Sequence, residues 1–421
     1  MHVFPRAVAI VCFVATAGPF SGALAQYLNP AGEIVVPESS VRQSQPSLAG
    51  AESKVRAFTN IAVFVPETQV EPPSATSTAA ATYFIETPAS IACAYNLVPQ
   101  ASGCNPNSIR INPSGGSKAI AIVDAYDAPN IKADLKAFDE RFNVPTANFS
   151  VVFASGFQPP TDEGWEMEIS LDVEWAHAMA PNAEIILVEA ASSSLEDLFL
   201  AVDKAAELVA AKGGGEISLS WGGAEFPAEA GYDARYFAKS GIVYFAASGD
   251  DPGMGYPACS PRVVAVGGTT IIRDRSGAFI GETPWSSAGA GPCAFEGRPN
   301  FQSAISDIVG SARGIVDLAA VANPRTGVWV YDSGNSNAST NKGWIVVGGT
   351  SAATPIVAAI TNLAGRFAPS TADELDSVYS NNKDFNEMLN GTCGANGVYA
   401  SAPDDWNYCT GVGSPKGKNG L

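Results

Sequence analysis

Histidine is almost missing from this 421-residue chain: two occur, His2 and His177. Chemistry that relies on several imidazoles, as relays or as metal ligands, is thereby excluded. Basic side chains are also scarce. Against 42 Asp and Glu stand 24 Lys and Arg, a formal net charge of −18. A field of that sign repels phosphate backbones and anionic lipid, so neither nucleic acid nor a membrane surface is a partner. Charged residues of both signs make up only 16% of the chain while 46% is hydrophobic, which excludes a disordered acidic tail and supplies a sizeable core. No CxxC spacing occurs, so the cysteines do not read as a metal site. Beyond the N-terminus no uninterrupted apolar run approaches the ~20 residues that a membrane helix needs.

What is present first speaks to compartment and processing. Residues 1–25 hold one charged side chain, Arg6, then the apolar run Ala7 to Ala17 and the small-residue end Ala23-Leu24-Ala25. This is the pattern of a signal peptide cut before Gln26, and it predicts export to the extracellular space or the periplasm. Cys12 leaves with it. The six remaining cysteines fall as sequence neighbours, which suits local disulfides Cys93–Cys104, Cys259–Cys293 and Cys393–Cys409 in an oxidising compartment. Residues 26–86 are rich in Pro, Ser, Thr and Ala and read as a propeptide or linker of low structural content, leaving 87–421 as the main domain.

From about Tyr83 apolar strands alternate with amphipathic helices. Strands are expected at 118–123, 151–153, 184–188, 216–220, 242–247 and 263–266, with helices at 131–142 and 165–179. A further helix, capped by Ser194 with Asp197 three residues on, reaches Lys212 before Gly213-Gly214-Gly215. Such alternation specifies an α/β fold, a mainly parallel, doubly wound sheet flanked by helices. Ligands on such sheets bind at the carboxyl ends of the strands.

Three segments carry chemistry. Gly348-Gly349-Thr350-Ser351-Ala352-Ala353-Thr354-Pro355 follows the apolar strand Ile345-Val346-Val347 and leads into a helix over 356–364, with Pro355 in its first turn. One serine among small residues at a helix N-terminus has an exposed hydroxyl beside free backbone N–H groups and the positive dipole end, the setting of an acyl-transfer nucleophile. Such a nucleophile needs a base, and no histidine serves. His2 lies in the signal, and His177 reads as a helix-surface or C-terminal-turn residue near the helix dipole. Carboxylates take its place. Glu168 and Asp172, four apart, share a helix face, and two carboxyls so close have their titrations pushed apart. Leu171, Val173 and Trp175 flank them, so the helix is not a solvated acidic face. The third segment, Val243 to Asp251, is an apolar strand that delivers Asp250 into a glycine-flanked loop. If protonated there, Asp250 donates to a developing oxyanion.

With these motifs in order, the chain resembles the sedolisin family, the serine-carboxyl peptidases of subtilisin-like fold. E-x-x-x-D at Glu168 and Asp172, S-G-D at Asp250 and G-T-S-x-x-x-P from Gly349 to Pro355 carry the resemblance, as does Tyr256-Pro257-Ala258-Cys259-Ser260-Pro261 running into Val264 to Thr270. It spans roughly Tyr83 to Pro415. The resemblance implies Ser351 as nucleophile, Glu168 as general base and then acid, Asp172 orienting Glu168, and Asp250 in the oxyanion hole. It implies a polypeptide substrate lying along Ser220, Trp221 and Gly222, with Gly349 beside the nucleophile, and the chain is taken to act as a monomer. The family also binds calcium near its C-terminus. Before Thr410-Gly411-Val412-Gly413-Ser414-Pro415 the matching ligands here are the side chains of Glu387 and Asn407 and the carbonyls of Met388, Pro403 and Asp405. Asn407 takes the place of an Asp, so one formal charge is lost. A second departure is the prosegment, long and folded in the family and short here. Asp124, ending a strand in Ile122-Val123-Asp124-Ala125-Tyr126-Asp127, reads with Asp127 as structural or cleft-lining. Three rivals remain: a noncatalytic secreted binding protein on a protease scaffold, a His-dependent subtilisin, and a two-carboxylate glycoside hydrolase, which gives Ser351 no role.

Overall fold

The computed structural model describes residues 31–42, 55–68, 70–73, 83–251, 253, 255–334, 343–388, 390–394, 398–399 and 406–421. The expected signal peptide lies outside them.

The strand and helix pattern folds as its periodicity dictates. Strands β4 (Ala119–Ala125), β5 (Asn148–Phe153), β6 (Glu184–Ala190), β7 (Gly215–Leu219), β9 (Ile242–Ala247) and β10 (Val264–Arg273) form one sheet in the order β5-β6-β4-β7-β9-β10. All these pairings are parallel. β14 (Leu318–Val321) adds to β10 in parallel, and β11 (Phe279–Pro284) returns on it antiparallel. Side chains alternate between two buried layers with a period of two. From β4, Ile120 and Ile122 enter one core cluster while Ala119, Ala121, Val123 and Ala125 enter the other. Phe245 and Val243 of β9 point to the first layer, Tyr244 and Ala246 to the second. A sheet apolar on both faces must be covered on both faces. Helices α3 (Glu163–Met179) and α7 (Thr350–Ala364) pack together over the first, and α4 (Leu195–Ala211) covers the second with Leu198, Ala201, Val202, Ala205 and Val209. The doubly wound α/β reading is borne out.

Local signals set the helix ends. Ser194 accepts from the Asp197 N–H, as expected, and Asp162 caps α3 by accepting from Gly164 and Trp165, so that helix starts two residues earlier than Trp165. α2 (Ile131–Phe142) ends at Asn143 in the left-handed region, φ 55°. The three expected disulfides form, with Cα–Cα separations of 5.3, 5.8 and 5.5 Å.

Two expectations change. Residues 26–86 are expected to hold little structure, yet β1 (Gly32–Val35), β2 (Phe58–Thr59) and β3 (Ala62–Pro66) lie there. β3 pairs antiparallel with both β1 and β16 (Trp344–Gly348), which continues to β15 (Val328–Tyr331) in a four-stranded sheet. Composition averaged over the segment hides the apolar run Ile61 to Val65, whose Ile61 and Phe64 are buried in the main core. The helix carrying Ser351 also begins earlier than expected, at Thr350, so Pro355 sits in its second turn. Its missing N–H frees the Ser351 carbonyl, which accepts instead from Ser220 Oγ at 3.4 Å.

Candidate active site

The carboxyl ends of three parallel strands and the N-terminus of α7 converge. β4 delivers Asp124, β7 leads into Ser220, β9 leads through Ser248 and Gly249 to Asp250, and β16 leads through Gly349 into Ser351. From across the cleft α3 contributes Glu168 and Asp172. Glu168, Asp172, Asp124 and Ser351 are fully buried. Among the described residues no ion pair reaches Glu168, Asp172, Asp124 or Asp250. Burial without a counter-charge disfavours every carboxylate here.

Burial first, then the charges of Asp172 and Asp124, hold the Glu168 carboxyl well above the usual range, while the nearby Ser351 hydroxyl pulls it down and Asp250 adds a lesser push upward. Asp172 is raised by burial and by Asp124, and the Ser220 hydroxyl and Glu168 oppose the shift. Asp124 is pushed to about 8 by burial. Neither oxygen of Glu168 or of Asp172 is paired within hydrogen-bond distance. The Ser351 hydroxyl, close as it is to Glu168, donates to the Ser220 carbonyl at 2.9 Å.

Asp250 is held more firmly. Its Oδ1 accepts from the Thr350 N–H at 2.7 Å and the Thr350 hydroxyl at 2.9 Å. With Oδ1 committed as an acceptor, a proton belongs on Oδ2, which is buried and unpaired. Burial pushes this carboxyl to about 8 against the two Thr350 hydrogen bonds, so it is neutral and a donor at acid and neutral pH. Gly349, at φ +109°, leaves the adjoining space clear, because a Cβ there collides with Asp250 Oδ2 and with the Asn60 carbonyl oxygen. That carbonyl accepts the Ser351 N–H at 3.1 Å, and the Asn60 N–H donates to Ser351 Oγ at 3.1 Å.

The expected cleft-lining residues stand at this place. Trp221 and Gly222 form the short strand β8, which pairs antiparallel with Phe58 and Thr59 of β2. Two participants escape the sequence reading. Thr350 lies inside the G-T-S motif and its hydroxyl type was the available signal. Asn60 gave none, because only tertiary pairing brings it to Ser351.

His177 corrects the surface reading. It is fully buried, with Nε2 donating to the Pro145 carbonyl at 2.7 Å and 3.4 Å from Asp139. Burial lowers its proton affinity. Nine residues separate it from Glu168 on α3, about 13 Å along the axis. Asp127 accepts from Gln158 at 2.8 Å, a structural contact.

The subtilase family profile matches residues 163–395. The chain belongs to the subtilase family. The motif-based resemblance to the sedolisins is borne out within it. The chain is 30% identical over 300 residues to kumamolisin of Bacillus sp. (strain MN-32), covering 62% of this chain and 51% of that protein. It is 28% identical over 236 residues to sedolisin of Pseudomonas sp. (strain 101), covering 47% and 38%. The chain therefore spans about half or less of the curated relatives it matches. In fold it is similar to the solved Pseudomonas sedolisin, a serine-carboxyl proteinase complexed with two molecules of pseudo-iodotyrostatin. The TM-score is 0.62 at 22% identity, covering 79% of this chain and 95% of that one. A psychrophilic S41 protease superposes at 0.53 and 18% identity, with 79% and 98% covered.

The calcium ligands expected from the family do not fit a cation among the described residues. Asn407 Oδ1 accepts from the N–H groups of Cys409 and Thr410, which fixes the amide's orientation, and its Nδ2 donates to the Met388 carbonyl at 3.1 Å. Two groups meant to face one ion are bonded to each other. Glu387 is exposed, and Pro403 and Asp405 lie outside the described residues. The one metal-sized cluster among the described residues, Glu225 with Cys259 and Cys293, has its two sulfurs joined in a disulfide.

Proposed function

We propose that this protein is an exported serine-carboxyl endopeptidase that hydrolyses polypeptides through an acyl-enzyme on Ser351. The observation that carries this reading is a serine hydroxyl at a helix N-terminus among buried carboxyls that no cation neutralises. Such a group of acids supplies, without imidazole, both a base and a proton store. Glu168 takes the proton as Ser351 Oγ attacks the substrate carbonyl and returns it to the leaving amine. Asp172 holds Glu168 in place and shares its proton. The oxyanion is met by the Ser351 N–H and by protonated Asp250 Oδ2, aided by the α7 dipole. Water then hydrolyses the ester with Glu168 again as base. No step is routed through a metal. The proposed signal over 1–25 and the three disulfides support export, and no helix among the described residues is long and apolar enough to cross a membrane.

The three rivals fare worse. His177 is remote and enclosed, the four reacting residues are intact rather than decayed, and a glycoside hydrolase leaves the Ser351 setting without purpose. The test is incubation of the purified protein with an unfolded protein substrate from pH 3 to 8. Peptide release is expected at acid pH, declining as pH climbs toward 8 and Asp250 loses its proton. Absence of proteolysis at every pH sinks the reading, and an alkaline optimum overturns the carboxyl mechanism. Asp250→Ala is expected to lower kcat by about 10²- to 10³-fold, the usual loss of one oxyanion donor. Asp250→Asn keeps a neutral donor, so kcat is expected to stay within about tenfold and to hold up at higher pH than in the parent. Steady-state pH profiles of both variants check this.

A further inference from the structure

An active peptidase must present its nucleophile to a substrate, yet Ser351 is fully buried. Residues 58–61 of the same chain cover it. The groove of about 860 Å³ beside this segment is lined by Phe58, Val63 and Phe64 and reaches none of Glu168, Asp172, Asp250 or Ser351, because the cleft itself is already filled.

The covering segment lies as a substrate lies. Phe58 pairs with Gly222 and Thr59 with Trp221, antiparallel, adding a strand to the cleft edge. The next residue brings its carbonyl oxygen onto the Ser351 N–H at 3.1 Å, beside Asp250 Oδ2, and its amide reaches Ser220 O from Nδ2 at 3.4 Å. Beyond it the Ile61 N–H is held by Ser40 Oγ at 3.3 Å, and Ala62 pairs with Gly348, two residues before Thr350. The chain is thus gripped on both sides of one peptide bond.

We propose that Asn60–Ile61 is the chain's own first substrate and that the mature protein begins at Ile61. This rests on the peptidase reading. Ser351 Oγ bonds to the Asn60 carbonyl carbon, and its proton passes to Glu168. The carbon–nitrogen bond to Ile61 breaks, and Glu168 gives that proton to the Ile61 amine. Water then hydrolyses the Asn60 ester, leaving a carboxyl on Asn60 and the hydroxyl on Ser351. The downstream product stays, since β3 is a central strand of its sheet with Ile61 and Phe64 buried. The upstream product is held by the edge strand β1, by two-residue β2, by the backbone bonds of Ala57 N–H to the Ser193 carbonyl at 2.8 Å and of Leu195 N–H to the Val55 carbonyl at 3.1 Å, and by the hydroxyl contacts of Ser39 and Ser40 with Thr59 at 2.9 and 2.7 Å. It blocks the cleft until it leaves. The boundary proposed near residue 86 accordingly moves to 60/61, and β3 belongs to the mature fold.

The test uses full-length protein and its Ser351→Ala variant, held from pH 3 to 8 and followed by intact mass and N-terminal sequencing, with unfolded protein added to parallel samples. The parent is expected to yield a chain starting at Ile61, at a first-order rate unchanged over about 100-fold in protein concentration, while the variant stays whole. A synthetic peptide of residues 55–66, given to processed enzyme, is expected to be cut after Asn60. Ile61→Pro is expected to stay uncut and to digest added protein at least 100-fold more slowly. Digestion of added protein with the chain uncut at 60/61, or matured to a different N-terminus, overturns the proposal and leaves the peptidase reading standing. So does a rate that rises with concentration. Neither self-cleavage nor digestion overturns both. If Ile61→Pro does not fold, the parent's N-terminus and the peptide decide.

Discussion

Ser351→Ala is expected to lower kcat/KM toward an unfolded protein by about 10⁶-fold, and Glu168→Gln added to it is expected to cost nothing further. In catalytic serine units, removing the nucleophile alone forfeits nearly all of the unit's contribution, and what survives comes from oxyanion donors and binding. Here those survivors are the Ser351 N–H and Asp250, which the substitution leaves in place. Glu168→Gln alone is expected to fall by about 10⁴-fold or more, because Gln keeps the shape and cannot take a proton. The fold should persist. The Ser351 hydroxyl bonds the Ser220 carbonyl and the Asn60 N–H, so its loss costs about 1–3 kcal/mol of stability. Single and double variants assayed at one acid pH, after matched melting curves, give the comparison. Losses that multiply in the double variant would show that the two residues act independently, contrary to a shared proton transfer.

Legibility of the fold followed the range of the interaction that fixes each element. Period-two strands such as Ile120 to Val123, and caps such as Ser194 with Asp197, are decided within a few residues, and these matched. Parallel neighbours are then ordered by crossover helices, which the alternation of elements also announces. The positions of Glu168, Asp250 and Ser351 could be read because each sits at a strand end or on one helix face, where spacing alone sets direction. What escaped depended on distant pairing. Val63 to Val65 look like a short apolar run in a proline-rich stretch until β16 is there to receive them. Asn60 has no local mark, since its place is fixed by β2 on one side and β3 on the other. His177 was misjudged because a helix buried on nearly every side has no polar face to reveal the period. Asn407 shows a different limit. Oxygen donors at matching positions suggested a cation, but whether an amide faces an ion or a carbonyl is decided by the backbone N–H groups around it.

Unfolding is expected to become easier as pH rises from 4 to 8, by a fall in Tm on the order of 10 °C. Most proteins owe acid lability to carboxylates that are paired in the fold. Here many are buried without a counter-charge in an ion pair, and the sign reverses. Burial pushes Asp124 and Glu216 to about 8 and Glu229 to about 9. In the unfolded chain the same groups titrate near about 4. Between those limits the folded protein keeps protons that the unfolded chain has released, so fewer are bound in the unfolded state and stability falls with pH. The contribution is complete below about pH 4 and lost above about 8 to 9, with a slope that approaches ~1.4 kcal/mol per pH unit for one such group. Acid brings little opposing penalty, because only 24 Lys and Arg remain to repel one another once the carboxyls are neutral. Glu216 isolates the effect. It lies away from the cleft, faces Lys118 and Glu374, and accepts from Asn362 Nδ2 at 2.6 Å, a bond that Gln preserves. Calorimetry of Glu216→Gln at pH 4, 6 and 8 is expected to show a shallower decline in Tm than the parent, with an unchanged pH profile of activity. A parent Tm that is flat or rises over this range would show that the buried carboxyls are ionised in the fold, and with them the proton store on which Glu168 and Asp250 depend.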